Sequence, residues 1–192
     1  MSAYSHGYVT ASAERRWDTV VISPHFDDAA LSVAGLLIRG AGRAAVVTVH
    51  GGAPDASAAT SWWDSTCGFG SAVEAYESRL AEDARSCELL GAEQVVLPHA
   101  DGPYRAAGEQ LTALREFLDG LPERTQVLVP LGTNQPDHAA VREQALAALA
   151  ARGYDTPWVY ADLPYTGAAP EWGTDDADRA LAANGQCGKA YQ

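Results

Sequence analysis

Residues 23–28, Ser-Pro-His-Phe-Asp-Asp, place one imidazole and two carboxylates within four positions. Nitrogen and oxygen donors at that density are half of a divalent-metal site. A second cluster, Gln135-Pro136-Asp137-His138, repeats the pairing of carboxylate and imidazole. Together His25, Asp28 and His138 make three N/O ligands with a fourth position left for water, the makeup of a catalytic rather than a structural zinc site. Zn2+ is the expected ion, with another divalent ion such as Fe2+ as the alternative. Asp27 stands next to a ligand without being one, which suits a general base that takes a proton from water. Asp137 could orient a ligand imidazole, its own or that of His25. Each of these aspartates also has a plainer reading as a helix N-cap, because a carboxylate accepts hydrogen bonds from the free amides of a first turn.

Such chemistry requires two turns to meet. Thr19-Val20-Val21-Ile22 is a β-branched run that reads as a buried parallel strand, and Leu31, Ala34, Leu37 and Ile38 then recur at helical spacing. Val127-Leu128-Val129-Pro130-Leu131 followed by Val141, Ala145, Leu146 and Leu149 has the same strand–turn–helix layout. If the strand order reverses between the first and fourth strands, both turns lie at the topological switch point, where open α/β sheets bind ligands. Strands are expected near 19–23, 45–50, 94–98, 126–131 and 157–161, with helices near 28–40, 72–90, 109–120, 137–151 and 175–183. The expected fold is α/β: one Rossmann-like domain over 1–192, with a mostly parallel sheet of about five strands flanked by helices.

The longest irregular segment, Gly51 to Gly70, contains Trp62, Trp63 and Phe69 and follows the second strand. Its place at the carboxyl edge would let Trp62 form a wall of the pocket. A partly disordered loop, or a Trp pair covering a second copy in a homo-oligomer, is the alternative. Asp162-Leu163-Pro164-Tyr165 follows the last strand and brings Tyr165 or Asp162 within reach of the site. His50 and His99 also end strands, where a hydrogen-bonded histidine is the commoner case.

Composition narrows the class. Hydrophobic residues at 47% and charged residues at 20% of 192 are globular values, enough for a sizeable core. A net charge of −12 repels nucleic acid and anionic membranes, leaving a small molecule as the expected partner. No apolar run approaches a membrane span, and the segment before the first strand lacks a secretory core, so a cytoplasmic location is expected. Three scattered cysteines, Cys67, Cys87 and Cys187, read as free thiols. The first turn has no Gly-x-Gly-x-x-Gly, which argues against nucleotide binding.

Ser-Pro-His-Phe-Asp-Asp-Ala-Ala-Leu-Ser and Gln-Pro-Asp-His-Ala-Ala-Val resemble the two signature motifs of the PIG-L/LmbE-like family of zinc-dependent de-N-acetylases and amidases. The likeness extends to Arg79-Leu80-Ala81-Glu82, Leu90-Gly91 and Leu97-Pro98 leading to Asp101-Gly102, roughly 19–165 in all. It implies a Rossmann-like sheet, zinc on His25, Asp28 and His138, Asp27 as general base, and Arg79 and Asp101 as substrate-binding residues. It also implies cleavage of an N-acetyl amide on a small polar metabolite such as an amino sugar, glycoside or thiol conjugate, in natural-product or thiol metabolism. Two positions depart from the family pattern: Ala29 replaces a glutamate, and Gln135 replaces the first histidine of His-x-Asp-His. Gln135 could donate a neutral hydrogen bond to an oxyanion but could not shuttle a proton. A fold repurposed for another reaction, or a metal-binding relic, is the alternative.

Overall fold

The computed structural model describes residues 17–105, 108–154 and 157–168. Five strands, β1 (Thr19–Ser23), β2 (Ala44–Thr48), β3 (Ala92–Val96), β4 (Gln126–Pro130) and β5 (Trp158–Tyr160), form one sheet in the order β3-β2-β1-β4-β5. Every pairing is parallel, with Val21 opposite both Val46 and Leu128 in the centre. The sheet is therefore wholly parallel where the sequence suggested mostly so. The chain runs outward from β1 through β2 to β3, then returns to the other side of β1 with β4. That reversal opens a crevice between the carboxyl ends of β1 and β4.

The described residues hold five helices, α1 (Asp28–Arg39), α2 (Trp62–Thr66), α3 (Ala72–Leu90), α4 (Thr112–Asp119) and α5 (Pro136–Ala151), of which α1, α3, α4 and α5 pack on the sheet. Parallel strands buried on both faces need apolar side chains at every position. Val20 and Ile22 accordingly pack with Leu114, Leu118, Val141 and Leu149 of α4 and α5. Val21, one residue out of phase, packs on the opposite face with Val33 and Leu37 of α1 and Cys87 of α3. α3 opens at Ser71, whose side chain accepts from the Glu74 amide, and closes at Gly91 in the left-handed conformation, φ 68°.

Boundaries shift by two or three residues where local chemistry overrides periodicity. β3 starts directly after the Gly91 turn, two residues earlier than expected. α4 starts only at Thr112, because the Leu111 amide donates to Gln144 Oε1 of α5 at 2.8 Å and Leu111 itself is buried. The segment between β2 and α3 carries α2, capped by the Ser61 side chain. The helix expected at 175–183 lies outside the described residues. No helix among those described is long and apolar enough to cross a membrane.

Candidate active site

The β1–α1 turn is tied down by a buried serine. Ser23 Oγ donates to the His25 carbonyl at 2.7 Å and accepts from the Ala29 amide at 3.1 Å, while the His25 amide donates to Asp28 Oδ2 at 2.8 Å. Asp27 occupies the N-cap position of α1, yet its side chain makes no cap hydrogen bond. Its carboxylate is exposed, but the surrounding walls withdraw solvent and Asp28 adds like charge, which together raise its pKa.

The β4–α5 turn is built from its backbone. Gly132 has φ 67°, and a Cβ there would lie 2.8 Å from the His138 carbonyl oxygen, so only glycine fits. Asn134 is also left-handed at φ 58°. Gln135 is the N-cap of α5: its side-chain oxygen accepts from the amides of Asp137 and His138. Pro136 follows at the first helical position, where its missing N–H costs nothing.

At the crevice the two turns converge. His25 Nδ1, Asp28 Oδ2 and His138 Nε2 are separated by 3.4, 3.3 and 3.2 Å. Metal–ligand distances of about 2.0–2.2 Å in a tetrahedral site imply ligand–ligand edges of roughly 3.3–3.5 Å, so the three atoms already have the spacing an ion needs. The donor chemistry agrees. His138 Nδ1–H donates to Asp162 Oδ2 at 2.7 Å, which leaves Nε2 as a lone pair aimed into the cluster. Asp162 is fully buried and also accepts from the Gly132 amide and the Thr166 hydroxyl. Burial alone would raise its pKa, but these donors hold it below the ordinary carboxylate value.

The outer nitrogen of His25 faces two carboxylates, with Nε2 at 3.3 Å from Asp101 Oδ1 and 3.4 Å from Asp137 Oδ2. Burial opposes charge on His25, but Asp101, Asp137 and Asp28 outweigh it and raise its pKa well above the ordinary value. A divalent ion must therefore displace a proton to bind. Asp137 is lowered, first by its hydrogen bond from His25 and also by Arg105, whose guanidinium donates to Asp137 Oδ1. The same guanidinium donates to His50 Nε2 at 3.1 Å. His50 Nδ1 lies 3.0 Å from the Ala100 carbonyl and so carries the ring proton. Burial, together with the nearby charge of His25, lowers the His50 pKa to about 4.

Of the remaining residues singled out from the sequence, Tyr165 meets the cluster directly, its ring set edge-on to His138 at 4.7 Å between centroids. Arg79 pairs instead with buried Asp64 at 2.6 Å and lies over the Phe69 ring. Asp64 also accepts from Tyr104 Oη at 2.5 Å, and Tyr104 Oη accepts from the Ser61 amide, so α2 is pinned from both sides. On that anchored helix Trp62 is 78% and Trp63 58% exposed. His99 is buried near Glu109. The sequence did not single out Arg105, and it left Asp162 as one of two residues beyond β5. The signal for Asp162 was its place two residues past the end of a strand beside β4, the same rule that found the two turns.

The GlcNAc-PI de-N-acetylase (PIG-L) family profile matches residues 20–149. Among solved structures, the A40926 pseudoaglycone deacetylase Dbv21 is 31% identical, with a TM-score of 0.66 over 81% of this chain and 67% of that one. The zinc-inhibited form of teicoplanin deacetylase Orf2 is 25% identical, with a TM-score of 0.65 over 79% and 70%. GalB from Pseudomonas putida, a 4-carboxy-2-hydroxymuconate hydratase, is 23% identical with a TM-score of 0.55 over 74% and 64%, a likeness of fold alone. No curated protein sequence matches the chain. With two signature turns meeting at the switch point of a wholly parallel sheet, and a family match over most of its length, the chain belongs to the PIG-L family of GlcNAc-PI de-N-acetylase-type proteins.

Proposed function

We propose that the protein is a zinc-dependent hydrolase that removes an N-acetyl group from an amino-sugar-type metabolite. The observation that carries this reading is the set of three donor atoms at 3.2–3.4 Å beside an aspartate that caps nothing. His25, Asp28 and His138 would hold the ion, two imidazoles and one carboxylate leaving it a net positive charge. Bound there, zinc supplies the Lewis acidity that polarises an amide carbonyl and lowers the pKa of water toward about 7. Asp27, exposed and with its pKa raised by burial and the like charge of Asp28, takes the proton from the attacking water at its carboxylate. His50 cannot share that work, since its Nε2 is occupied by Arg105 and its Nδ1–H by Ala100. Asp27 therefore also returns the proton to the departing amine.

Gln135 has its carbonyl oxygen fixed by the helix it caps, which leaves its Nε2–H2 as the neutral donor for the developing oxyanion. Asp137 and Asp162 hold the two ligand rings in the tautomer that metal binding requires. Asp101 and Tyr165 line the substrate side, Trp62 offers a flat aromatic wall, and Arg79 keeps that wall in place through Asp64. Dbv21 is a deacetylase of A40926 pseudoaglycone and Orf2 a deacetylase of teicoplanin, and a substrate comparable to theirs suits an open aromatic rim. The test is an amine-release assay on the zinc-loaded protein across N-acetyl amino sugars and their glycosides. Turnover that disappears with a chelator and returns with zinc is expected. Stoichiometric zinc with no amine release from any of these would favour a repurposed or inactive site.

A further inference from the structure

A second group of potential ligands, His25, Asp101 and Asp137, adjoins the first and shares a ring with it. It does not read as a second cation site. If His25 Nδ1 holds an ion, Nε2 keeps its proton, and that proton is what Asp101 and Asp137 accept. Positive charge is also already present on the far side of Asp137, where the guanidinium of Arg105 donates to Oδ1. Arg105 is 17% exposed, and its other amino group rests on a nitrogen lone pair of buried His50.

Hydrogen bonds run from the Ala100 carbonyl through His50 and Arg105 to Asp137, whose other oxygen lies 3.4 Å from His25 Nε2. Each link fixes the next. The Ala100 carbonyl takes the His50 Nδ1 proton, so His50 Nε2 can only accept, and what it accepts is a donor of Arg105. That seat turns the planar guanidinium so that its second amino group meets one oxygen of Asp137, leaving the other for His25. Gly102, in the same short segment, makes room for the carboxylate, since a Cβ there would stand 2.7 Å from Asp137 Oδ2.

We propose that Arg105, seated on a neutral His50, is a positioning residue for the metal centre that acts through Asp137 to orient the ligand ring of His25. An acceptor behind a ligating histidine fixes its tautomer and strengthens it as a ligand, and losing such support typically costs about 10–100-fold in metal affinity. Without its guanidinium Asp137 would lose the contact that fixes Oδ1, leaving only the His25 contact itself to keep Oδ2 in place. This inference rests on the metal reading above and concerns how tightly the ion is held, not which bond is cleaved.

Zinc affinity, measured by competition with a chromophoric chelator, tests it without reference to activity. Wild type, Arg105→Met, Asp137→Asn and the double variant form a cycle. Arg105→Met is expected to weaken zinc binding by about 10-fold or more while the melting temperature of the zinc-free protein stays near that of wild type. In the Asp137→Asn background the same change should have almost no further effect, because the path is already cut. Arg105→Lys is expected to fall between, since an ammonium can neutralise Asp137 but cannot also reach His50 in the guanidinium geometry. It carries the test should Arg105→Met not fold. Unchanged zinc affinity in Arg105→Met and Arg105→Lys, or losses that simply add in the double variant, would overturn the proposal. Wild-type protein that takes up no zinc would instead remove the metal reading itself, and the inference with it.

Discussion

The two turns that meet at the crevice look alike in sequence and are built oppositely. In the β1–α1 turn a serine does the structural work, so Asp27 is left with a carboxylate that caps nothing. In the β4–α5 turn the N-cap side chain, Gln135, does cap the helix. One turn leaves its carboxylate uncommitted; the other commits its polar group to a helix start, with Gly132 and Asn134 shaping the backbone. The lesson is that a repeated motif need not repeat a role. Whether a carboxylate is free depends on what else in the turn satisfies the amides of the first helical turn.

The largest effect should come from removing a ligand. His138→Ala is expected to abolish stoichiometric zinc, read by elemental analysis, while circular dichroism stays close to wild type; full zinc retention would dissolve the pairing of the two turns. Asp27→Asn should leave zinc in place and lower kcat by about 10²–10⁴, the usual cost of a lost general base. Wild-type turnover by that variant would move the chemistry out of the first turn.

Gln135 separates the two kinds of work within one residue. Gln135→Ala should lower kcat by about 10²-fold, the scale of a lost oxyanion donor. It should also cost about 1 kcal/mol of stability, the scale of a lost cap. Gln135→Ser returns a capping oxygen without the amide donor, so thermal melts should recover and kcat should not. If kcat follows the melting temperature in both variants, the position is a cap and nothing more.

Asp83 provides the contrast from outside the site. It is buried on α3, accepts from Gln94 at 2.7 Å, and burial raises its pKa to about 6. Because the folded value lies above the ordinary carboxylate value, folding favours the protonated form. Its stabilising contribution is complete below about pH 4 and is lost as pH rises to about 6. Asp83→Asn should match wild type at pH 4 and exceed it at pH 7 by an amount of the order of 2 kcal/mol, measured by denaturant melts at both pH values. Equal stability at pH 7 would mean that solvent reaches this carboxylate in a way its burial denies.

Much of this was legible in the chain because it depends on local pattern. The β-branched runs at 19–22 and 127–131, followed by helical spacing, located the two turns, and the reversal of strand order needed to join them is the one observed. Arg79 shows the limit. On a helix beside Glu77 and Glu82 it gives no hint that its partner will be Asp64, fifteen residues upstream and on the buried side of the Trp62 helix. Arg105 is hidden for the same reason: its two partners, His50 and Asp137, lie far away on either side in sequence and become neighbours only once β2 and β4 are in the sheet. Periodicity reports which face a residue occupies; it does not report which distant polar group waits there.

The carboxylate behind His138 sits past the end of β5, beyond the span that the family profile matches. On a growing polypeptide made from its amino end, both ligand-bearing turns emerge before that carboxylate exists. Until β5 lies beside β4, the His138 ring has no acceptor for its Nδ1 proton, and Nε2 is not committed to the lone-pair form a cation requires. On the metal reading proposed above, an ion would find its site complete only after closure of the sheet edge. Such an ion would also shift the folding equilibrium toward the closed sheet, favouring chains that have placed their last strand.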